Sequence, residues 1–180
     1  MMALIGPARI DAVQPPGVGT GLIGMTHCPG RQGLDGRGRL WARDLDADLA
    51  AVRGWGAAHV LTLLPLEELA RLGVAGLPGA VAEAGMAWAH LPIADFEPPG
   101  EAARRAWPTL APGLREALQK GERVLIHCAA GLGRTGTVAG MLLIELGVLP
   151  AEAIAQIRQA RPGTIETQGQ LDFVLQFGAG

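Results

Sequence analysis

The sequence predicts an α/β domain with a central, mostly parallel sheet and helices packed on both faces. Short apolar runs of strand length alternate with longer stretches of helical length along the chain. That alternation is typical of parallel sheets whose crossover helices cover both faces. A chain of 180 residues with a hydrophobic fraction of 49% can bury a sizeable core. We therefore expect residues 1–180 to form a single domain.

The apolar pattern also predicts the individual elements in order. Glycine or proline ends most of these segments, as is common where helices and strands stop. Prolines are expected to break or kink the longest helix. Two short edge strands come first, followed by a glycine- and arginine-rich loop that runs to Arg39. The predicted strands are 9–13, 22–25, 58–64, 86–93 and 123–127, and the predicted helices are 45–52, 67–72, 78–84, 101–119, 137–146, 151–160 and 168–177.

Composition argues against several classes of protein. The net charge of −2 argues against a general nucleic-acid binder. Apolar runs are too short for a membrane span, so we expect no membrane partner. Residues 1–24 lack a basic segment followed by a compact apolar one, so we predict no signal peptide. With Cys28 and Cys128 as the two cysteines, we expect a reducing, cytoplasmic compartment rather than a disulfide scaffold.

Two groups of polar side chains raise the question of a metal site. Asp44 is the predicted N-cap of the first helix, and Asp46 and Asp48 follow it. We interpret all three as a solvated first turn favoured by the helix dipole. His27 and Cys28 are neighbours, but two ligands are too few for zinc. The sequence therefore predicts no metal site.

A glycine-rich loop joins the predicted strand 123–127 to an apolar helix. It reads His127-Cys128-Ala129-Ala130-Gly131-Leu132-Gly133-Arg134-Thr135-Gly136. Backbone N–H groups and the positive end of the following helix make such a loop an anion site. Cys128 is a candidate thiolate nucleophile, because N–H dipoles and a nearby cation stabilise its charge. Arg134 offers a planar fork that matches two phosphate oxygens. The plainer alternative is a turn with a buried structural cysteine.

Attack on a phosphoryl group also requires an acid that protonates the leaving oxygen. Asp95 lies in the loop after the predicted strand 86–93 and is the first candidate, with Glu97 as the second. The alternative for Asp95 is a turn or cap residue, because aspartate often starts turns. Asp95 and the glycine-rich loop together predict phosphate-ester hydrolysis.

These residues resemble the signature of the protein tyrosine phosphatase superfamily. The pattern is His127 and Cys128, then five residues, then Arg134 and Thr135. The Pro-Ile-Ala-Asp segment that ends at Asp95 is similar to the dual-specificity branch, particularly to the group around kinase-associated phosphatase (cyclin-dependent kinase inhibitor 3) and its bacterial relatives. Further similar stretches are 24–31, 63–72 and 161–167, so the likeness covers roughly residues 20–178.

The resemblance implies the main catalytic roles. Cys128 corresponds to the nucleophile, Arg134 to the phosphate-clamping arginine and Asp95 to the general acid. Thr135 corresponds to the hydroxyl that aids breakdown of the phospho-enzyme. No metal or cofactor is implied, because the loop and its arginine supply the positive charge. Phosphate, vanadate and tungstate are the expected active-site anions.

The resemblance also implies supporting residues. His127 supports the nucleophile, and Gln170 matches a glutamine that orients the attacking water, although Gln168 is close enough to compete. The residues whose backbone binds phosphate are Ala129, Ala130, Gly131, Leu132, Gly133 and Arg134.

The resulting expectation is a cysteine-dependent phosphatase of phosphotyrosine, phosphoserine or phosphothreonine monoesters, acting through a cysteinyl-phosphate. Alternatives are a phosphatase of small phosphorylated metabolites, a sulfurtransferase or arsenate reductase, and a phosphate-binding module without turnover. Asp95 and Thr135 count against sulfur chemistry, which needs no leaving-group acid. A loop without lysine counts against highly charged phosphoinositides. The physiological substrate, the oligomeric state and a redox role for Cys28 remain open at this level.

Overall fold

The computed structural model describes residues 6–178, so both ends of the predicted 1–180 domain lie outside the described residues. Residues 1–5, the start of the segment considered for a signal peptide, are among those outside. The described strands are β1 (Asp11–Val13), β2 (Leu22–Thr26), β3 (Gln32–Leu34), β4 (Leu40–Ala42), β5 (Ala57–Thr62), β6 (Ala87–His90) and β7 (Arg123–His127). The described helices are α1 (Leu45–Trp55), α2 (Leu66–Arg71), α3 (Leu77–Glu83), α4 (Glu101–Gln119), α5 (Gly133–Glu145), α6 (Pro150–Ala160) and α7 (Gln168–Gln176).

The main sheet has the strand order β1-β2-β7-β5-β6. Strand β1 runs antiparallel to β2, and all other neighbours in this sheet are parallel. The predicted α/β class with a mostly parallel sheet is therefore confirmed. The prediction that residues 22–25 form an edge strand is wrong, because β2 lies between β1 and β7. A short apolar run shows that a strand is buried but does not show which strands flank it.

Side chains of the central strand β7 alternate between two apolar cores. Val124 and Ile126 belong to the core shared with α4, α5 and α6. Leu125 belongs to the core shared with α1, α2 and α3. Successive side chains of a strand point to opposite faces, so a strand covered on both sides is apolar throughout. Helices on both faces, as predicted, fix β7 in the middle of the molecule and so fix the loop that follows it.

The loop predicted up to Arg39 contains β3 and a turn that leads into β4, and the two strands form a small hairpin. Asp35 closes its turn by accepting hydrogen bonds from the backbone N–H groups of Arg37 and Arg39, both at 2.9 Å. The indole N–H of Trp41 donates to the same carboxylate at 3.0 Å. The strands were missed because each has three residues and β3 is exposed throughout, so no apolar alternation marks them.

The acidic start of α1 is only partly solvated. Asp44 is the N-cap, as predicted, and accepts a hydrogen bond from the Ala47 N–H at 2.8 Å. The prediction of a solvated turn is wrong for Asp48, which is 1% exposed. Its carboxylate lies 2.6 Å from Arg43 Nη2 and accepts from the Gly30 N–H at 2.9 Å. Asp48 therefore ties α1 to the segment that follows β2.

Two helices differ from their predicted form. Helix α5 starts at Gly133, inside the glycine-rich loop, rather than at 137. The loop therefore passes directly into the first helical turn, which contains Arg134. Helix α4 is one continuous helix that includes Pro108 and Pro112. Across residues 6–178, no helix combines the length and the hydropathy that crossing a bilayer requires.

We expect the Asp48→Asn substitution to lower the free energy of unfolding by ~3–5 kcal/mol, because it removes one charge of a buried ion pair. Urea unfolding followed by circular dichroism would measure the loss. Asp46→Asn is the matched control, because Asp46 is exposed on the same turn of α1, and it should change stability by less than ~0.5 kcal/mol. Equal effects of the two substitutions would show that the Asp48 pair does not hold α1 in place.

Candidate active site

All four parallel strands lead into segments that meet at one site. The residues concerned are Arg31 after β2, Glu68 in α2 after β5, Asp95 after β6, and Cys128 and Arg134 after β7. A cavity of about 430 Å³ opens here, and all of these residues except Glu68 line it. Open α/β sheets bind ligands at the carboxyl ends of their strands, so this cavity is the candidate active site.

The loop of residues 128–134, here the Cys128 loop, has its carbonyl oxygens engaged by the rest of the fold. Arg161 donates to the carbonyl of Gly131 at 2.7 Å and to that of Ala130 at 3.1 Å. In the peptide unit that joins Ala130 to Gly131, the N–H group points the other way and donates to Cys128 Sγ at 3.3 Å. The Gly131 N–H therefore faces the sulfur, an arrangement that stabilises negative charge there.

Two glycines of the Cys128 loop lie so close to neighbouring atoms that a side chain at either position would not fit without a shift. Gly131 has φ 73°, and a Cβ atom there would lie 2.3 Å from the Thr26 carbonyl oxygen. A Cβ atom at Gly133 would lie 2.8 Å from Glu166 Oε1 and 2.9 Å from Gln170 Nε2. A side chain at position 131 would displace the loop from the backbone of β2, whereas one at position 133 would displace the side-chain ends of Glu166 and Gln170.

A chain of hydrogen bonds holds His127 at the start of the loop. The Trp88 indole N–H donates to Thr62 Oγ1 at 2.9 Å, and Thr62 Oγ1 lies 2.7 Å from His127 Nε2. We assign the Thr62 hydroxyl as donor to Nε2, which leaves the ring proton on Nδ1, 3.2 Å from the Cys128 carbonyl oxygen. Burial lowers the pKa of His127 to about 4. The neutral ring thus helps to hold the start of the Cys128 loop in position.

Arg134 is 2% exposed and is held by two other segments of the chain. Its two terminal nitrogens donate to the two carboxylate oxygens of Glu68, each at 2.8 Å, and Nη1 also donates to the Ile93 carbonyl at 3.0 Å. Burial alone would lower the pKa of Arg134, but the hydrogen bonds to Glu68 and the charges of Cys128 and Asp95 outweigh it and raise that pKa. The guanidinium is therefore fixed in orientation and permanently charged.

The two candidate acids lie in different surroundings. Asp95 Oδ1 is 3.1 Å from Arg134 Nη2, and its side chain is 54% exposed at the cavity. Asp95 also accepts a hydrogen bond from the Phe96 N–H at 3.0 Å. This contact is typical of the turn residue that the sequence offered as the alternative role. Glu97 lines a separate cavity. The structure thus brings Asp95, and not Glu97, to the arginine.

The Thr135 hydroxyl is fully buried in the first turn of α5. Among residues 6–178 it has no hydrogen-bond partner, the sulfur of Cys128 included. A buried hydroxyl without a partner is unusual and marks a group that a ligand or a reacting atom can use.

Of the two candidate glutamines, Gln170 lies beside the Cys128 loop. It is fully buried, and its Oε1 accepts from the N–H groups of Glu166 at 2.9 Å and Thr167 at 3.1 Å, which caps α7. Its Nε2 donates to the Glu97 carbonyl at 3.3 Å. Gln168 is exposed and donates to a carboxylate of its own helix. Gln170 therefore joins α7 to the loop that carries Asp95.

Within residues 6–178, two non-glycine residues have positive φ, and both flank the site. Phe96, at φ 60°, follows Asp95, and Ile165, at φ 58°, precedes Glu166. Such conformations cost free energy and persist where the surrounding structure imposes them, often at functional sites. The strain falls on the two segments that reach the Cys128 loop from outside.

Three residues of the site were not assigned a role from the sequence. Glu68 pairs with Arg134, Arg161 holds the loop carbonyls, and Glu166 accepts from the Gly133 N–H at 2.9 Å. The buried arginine demands a carboxylate partner, but the sequence does not show which of the chain's 17 acidic residues supplies it. Their role depends on contacts between distant segments.

Cys28 lies next to the loop but is fully buried. Its backbone N–H donates to the Ala129 carbonyl at 3.1 Å. Burial raises the pKa of its thiol, with smaller effects of nearby charges, so Cys28 is a poor nucleophile. Both cysteines are free thiols. Within the described part of the chain, no group of three or more potential ligands is placed to hold a metal ion.

Comparisons with known sequences match this chain to phosphatases. Residues 42–148 match the family model described as polymorphic toxin system, DSP-PTPase phosphatase. Cyclin-dependent kinase inhibitor 3 of Sus scrofa is 30% identical over 158 residues, which cover 86% of this chain and 71% of that protein. Protein tyrosine phosphatase domain-containing protein 1 of Mus musculus is 37% identical over 106 residues, and the match spans 58% of this chain but only 14% of that relative.

Solved structures share the fold. Kinase associated phosphatase, in a form whose catalytic-site cysteine is replaced by serine, has a TM-score of 0.80 at 24% identity, covering 96% of this chain and 94% of that one. Tk-PTP in its active form has a TM-score of 0.63 at 27% identity, covering 86% of this chain and 88% of that one. The sheet and helices described above therefore occur as a unit in other proteins.

We expect the free energy of unfolding to fall as the pH drops through the window between 6.5 and about 4. The folded-state pKa of His127 lies below its ordinary value of 6.5, so the unfolded chain binds more protons across this window. A shift of this size corresponds to about 3 kcal/mol. Urea unfolding at several pH values should show a weaker pH dependence for His127→Gln. His27, whose pKa burial also lowers, is present in both proteins, so the difference between their slopes reports mainly on His127. Identical slopes would contradict the expectation.

Proposed function

The chain belongs to the DSP-PTPase phosphatase family, and we propose that it is a phosphoric monoester hydrolase with Cys128 as its nucleophile. The family resemblance inferred from the sequence is thereby confirmed. One observation carries the proposal for the site: the Cys128 sulfur, a loop N–H group and the buried Arg134 guanidinium converge at one cavity. The proposed substrates are phosphorylated proteins or small phosphomonoesters.

In the first proposed step, the Cys128 thiolate attacks phosphorus. A sulfur–phosphorus bond forms while the bond from phosphorus to the leaving oxygen breaks. Backbone N–H groups of residues 129–133 and the Arg134 guanidinium hold the non-bridging oxygens. The paired hydrogen bonds between Arg134 and Glu68 support this role, because they orient the guanidinium before a substrate arrives. The N–H dipoles and the Arg134 cation stabilise the negative charge of the phosphoryl group, so the proposed reaction uses no metal or cofactor.

Asp95 is the proposed general acid. Its position at the cavity, 3.1 Å from Arg134, supports this assignment over Glu97. Asp95 gives its proton to the leaving oxygen in the first step. In the second step, the resulting carboxylate takes a proton from water, the water oxygen bonds to phosphorus, and the bond to Cys128 breaks. Phosphate then leaves, and the thiolate and the protonated acid are restored.

Two further residues are proposed to assist the second step. The Thr135 hydroxyl would donate to the departing sulfur, and its lack of another partner among the described residues supports this. We propose Gln170 rather than Gln168 as the residue that orients the water, because Gln168 is exposed on α7. Because the side-chain oxygen Oε1 of Gln170 caps α7, we propose that its Nε2 group is the one that orients the water. Sulfurtransferase and arsenate reductase chemistry is not favoured, because neither requires an acid such as Asp95.

We also propose a reducing, cytoplasmic location. Both cysteines are free thiols, and the proposed nucleophile works only when reduced. Oxidation of Cys128 would remove the thiolate that the reaction requires.

We predict that Cys128→Ser abolishes turnover while retaining phosphate-ester binding, because the loop does not ionise a serine hydroxyl at neutral pH. Phosphate release from 4-nitrophenyl phosphate, measured with a chelator present, and calorimetric titration with a phosphotyrosine peptide would test both parts. Cys28→Ala is the control, because Cys28 is buried outside the cavity, and it should retain turnover. Turnover by Cys128→Ser would overturn the assignment of the nucleophile.

Asp95→Asn should lower kcat for peptide or alkyl phosphates by about two to four orders of magnitude, the usual contribution of acid–base assistance. The loss should be much smaller for 4-nitrophenyl phosphate, whose leaving group departs without a proton. The basic limb of the pH–rate profile should also flatten. Glu97→Gln is the matched control and should change neither rate strongly. An equal loss on both substrates with an intact basic limb would identify another residue as the acid.

A further inference from the structure

Arg31 is a buried cation in the wall of the active-site cavity, and the reaction proposed above does not use it. It is 7% exposed and lines the same cavity as Cys128. Its guanidinium lies 4.3 Å from the centre of the Trp41 ring, a cation–π contact. Within residues 6–178 its side chain forms no ion pair or hydrogen bond, and its Nε group is fully buried without a partner.

The acid whose charge acts most strongly on this arginine, Asp35, is already engaged. The Asp35 carboxylate accepts from Arg39 Nε at 2.8 Å, from Trp41 at 3.0 Å, and from two backbone N–H groups of the hairpin turn. Burial, which is partly offset by Asp35, lowers the pKa of Arg31. A buried cation without a partner is costly, so a protein retains one mainly where an anion binds.

The charges around the cavity are divided between two sides. Asp95 and Glu166 lie on the side formed by the segments after β6 and before α7. Arg31, Arg37 and Arg39 lie on the side formed by the β3–β4 hairpin and the segment before it, together with Asp35, whose carboxylate is engaged within the hairpin. An anionic group attached to a bound phosphate ester is repelled by the acids and attracted to the hairpin side. Between Cys128 and Arg134, the loop has no charged side chain.

We propose that the substrate is a phosphomonoester that carries a second anionic group, a carboxylate or a further phosphate, and that Arg31 binds this group. The inference rests on the proposed function of the same site. Arg31 acts here as a specificity residue, while the Cys128 loop holds the phosphate that is removed. A cavity of about 430 Å³ falls within the size range of small-ligand sites. The second anion can belong to a peptide side chain or to a small metabolite.

Matched substrate pairs that differ by one charge would test the proposal and distinguish its two sources. The first pair is a phosphotyrosine peptide with glutamate or glutamine beside the phosphotyrosine. The second pair is 6-phosphogluconate and glucose 6-phosphate, which carry the same phosphate ester with and without a carboxylate. We expect kcat/KM to be higher by about tenfold or more for the anionic member of one pair, the effect of one charge-assisted hydrogen bond. A ratio of one in both pairs would overturn the proposal.

Substitutions then assign the effect to Arg31. Arg31→Gln, and Arg31→Met as a second variant that keeps an apolar stem against Trp41, should bring the kcat/KM ratio close to one. Arg53→Gln is the matched control and should keep the wild-type ratio. Arg53 is exposed near the end of α1, which leads directly into the start of β5, at the opposite edge of the sheet from the cavity. An unchanged ratio in a folded Arg31 variant would overturn the proposal.

The wild-type protein provides a test that does not depend on the folding of any variant. Salt screens interactions between charges, so the kcat/KM ratio should fall as the ionic strength rises. A ratio that stays constant would contradict binding of the second anion by a cation. If the wild-type protein hydrolyses no phosphate ester, 4-nitrophenyl phosphate included, the proposed function fails and this inference fails with it.

Discussion

The buried guanidinium of Arg134 is the interaction on which the rest of the site depends. Removing an arginine from water is costly unless carboxylate and carbonyl oxygens accept its N–H groups. Glu68 provides two acceptors at 2.8 Å, and the Ile93 carbonyl provides a third at 3.0 Å. These acceptors lie in the segments after β5 and β6, whereas Arg134 follows β7. One charged side chain therefore holds the ends of three parallel strands together around the cavity.

The Cys128 loop is held from outside in the same way. Arg161 engages two of its carbonyl oxygens, and the backbone of Thr26 approaches so closely that only glycine fits at position 131. The peptide units are thus oriented with an N–H group toward the sulfur. Few positions are involved in these constraints, and the same fold occurs at a TM-score of 0.80 with only 24% sequence identity.

The positive charges of the site differ in how they are balanced. Arg134 is paired with Glu68 and lies close to Asp95, so its orientation is fixed before any substrate binds. Arg31 stacks against an aromatic ring, and among residues 6–178 it has no ion pair or hydrogen bond to a carboxylate. The prearranged Arg134 suits the phosphoryl group, which every phosphate ester carries. The unpaired Arg31 suits a second anionic group, which only some substrates carry. The two proposals therefore give catalysis and selectivity to different arginines of one cavity.

The sequence by itself determined the α/β class, most helices and strands, and the loop from Cys128 to Arg134, because these depend on local periodicity or on contiguous residues. A loop that cradles an anion with its own backbone must be continuous in sequence, so its pattern is visible there. Only the tertiary structure decided the interior place of β2, the buried pair of Asp48, and the partners of the loop. Glu68 is 66 residues from Arg134, and Arg161 is 30 residues from Gly131. Such contacts depend on how strands and helices pack together, and no local spacing of residue types encodes that packing.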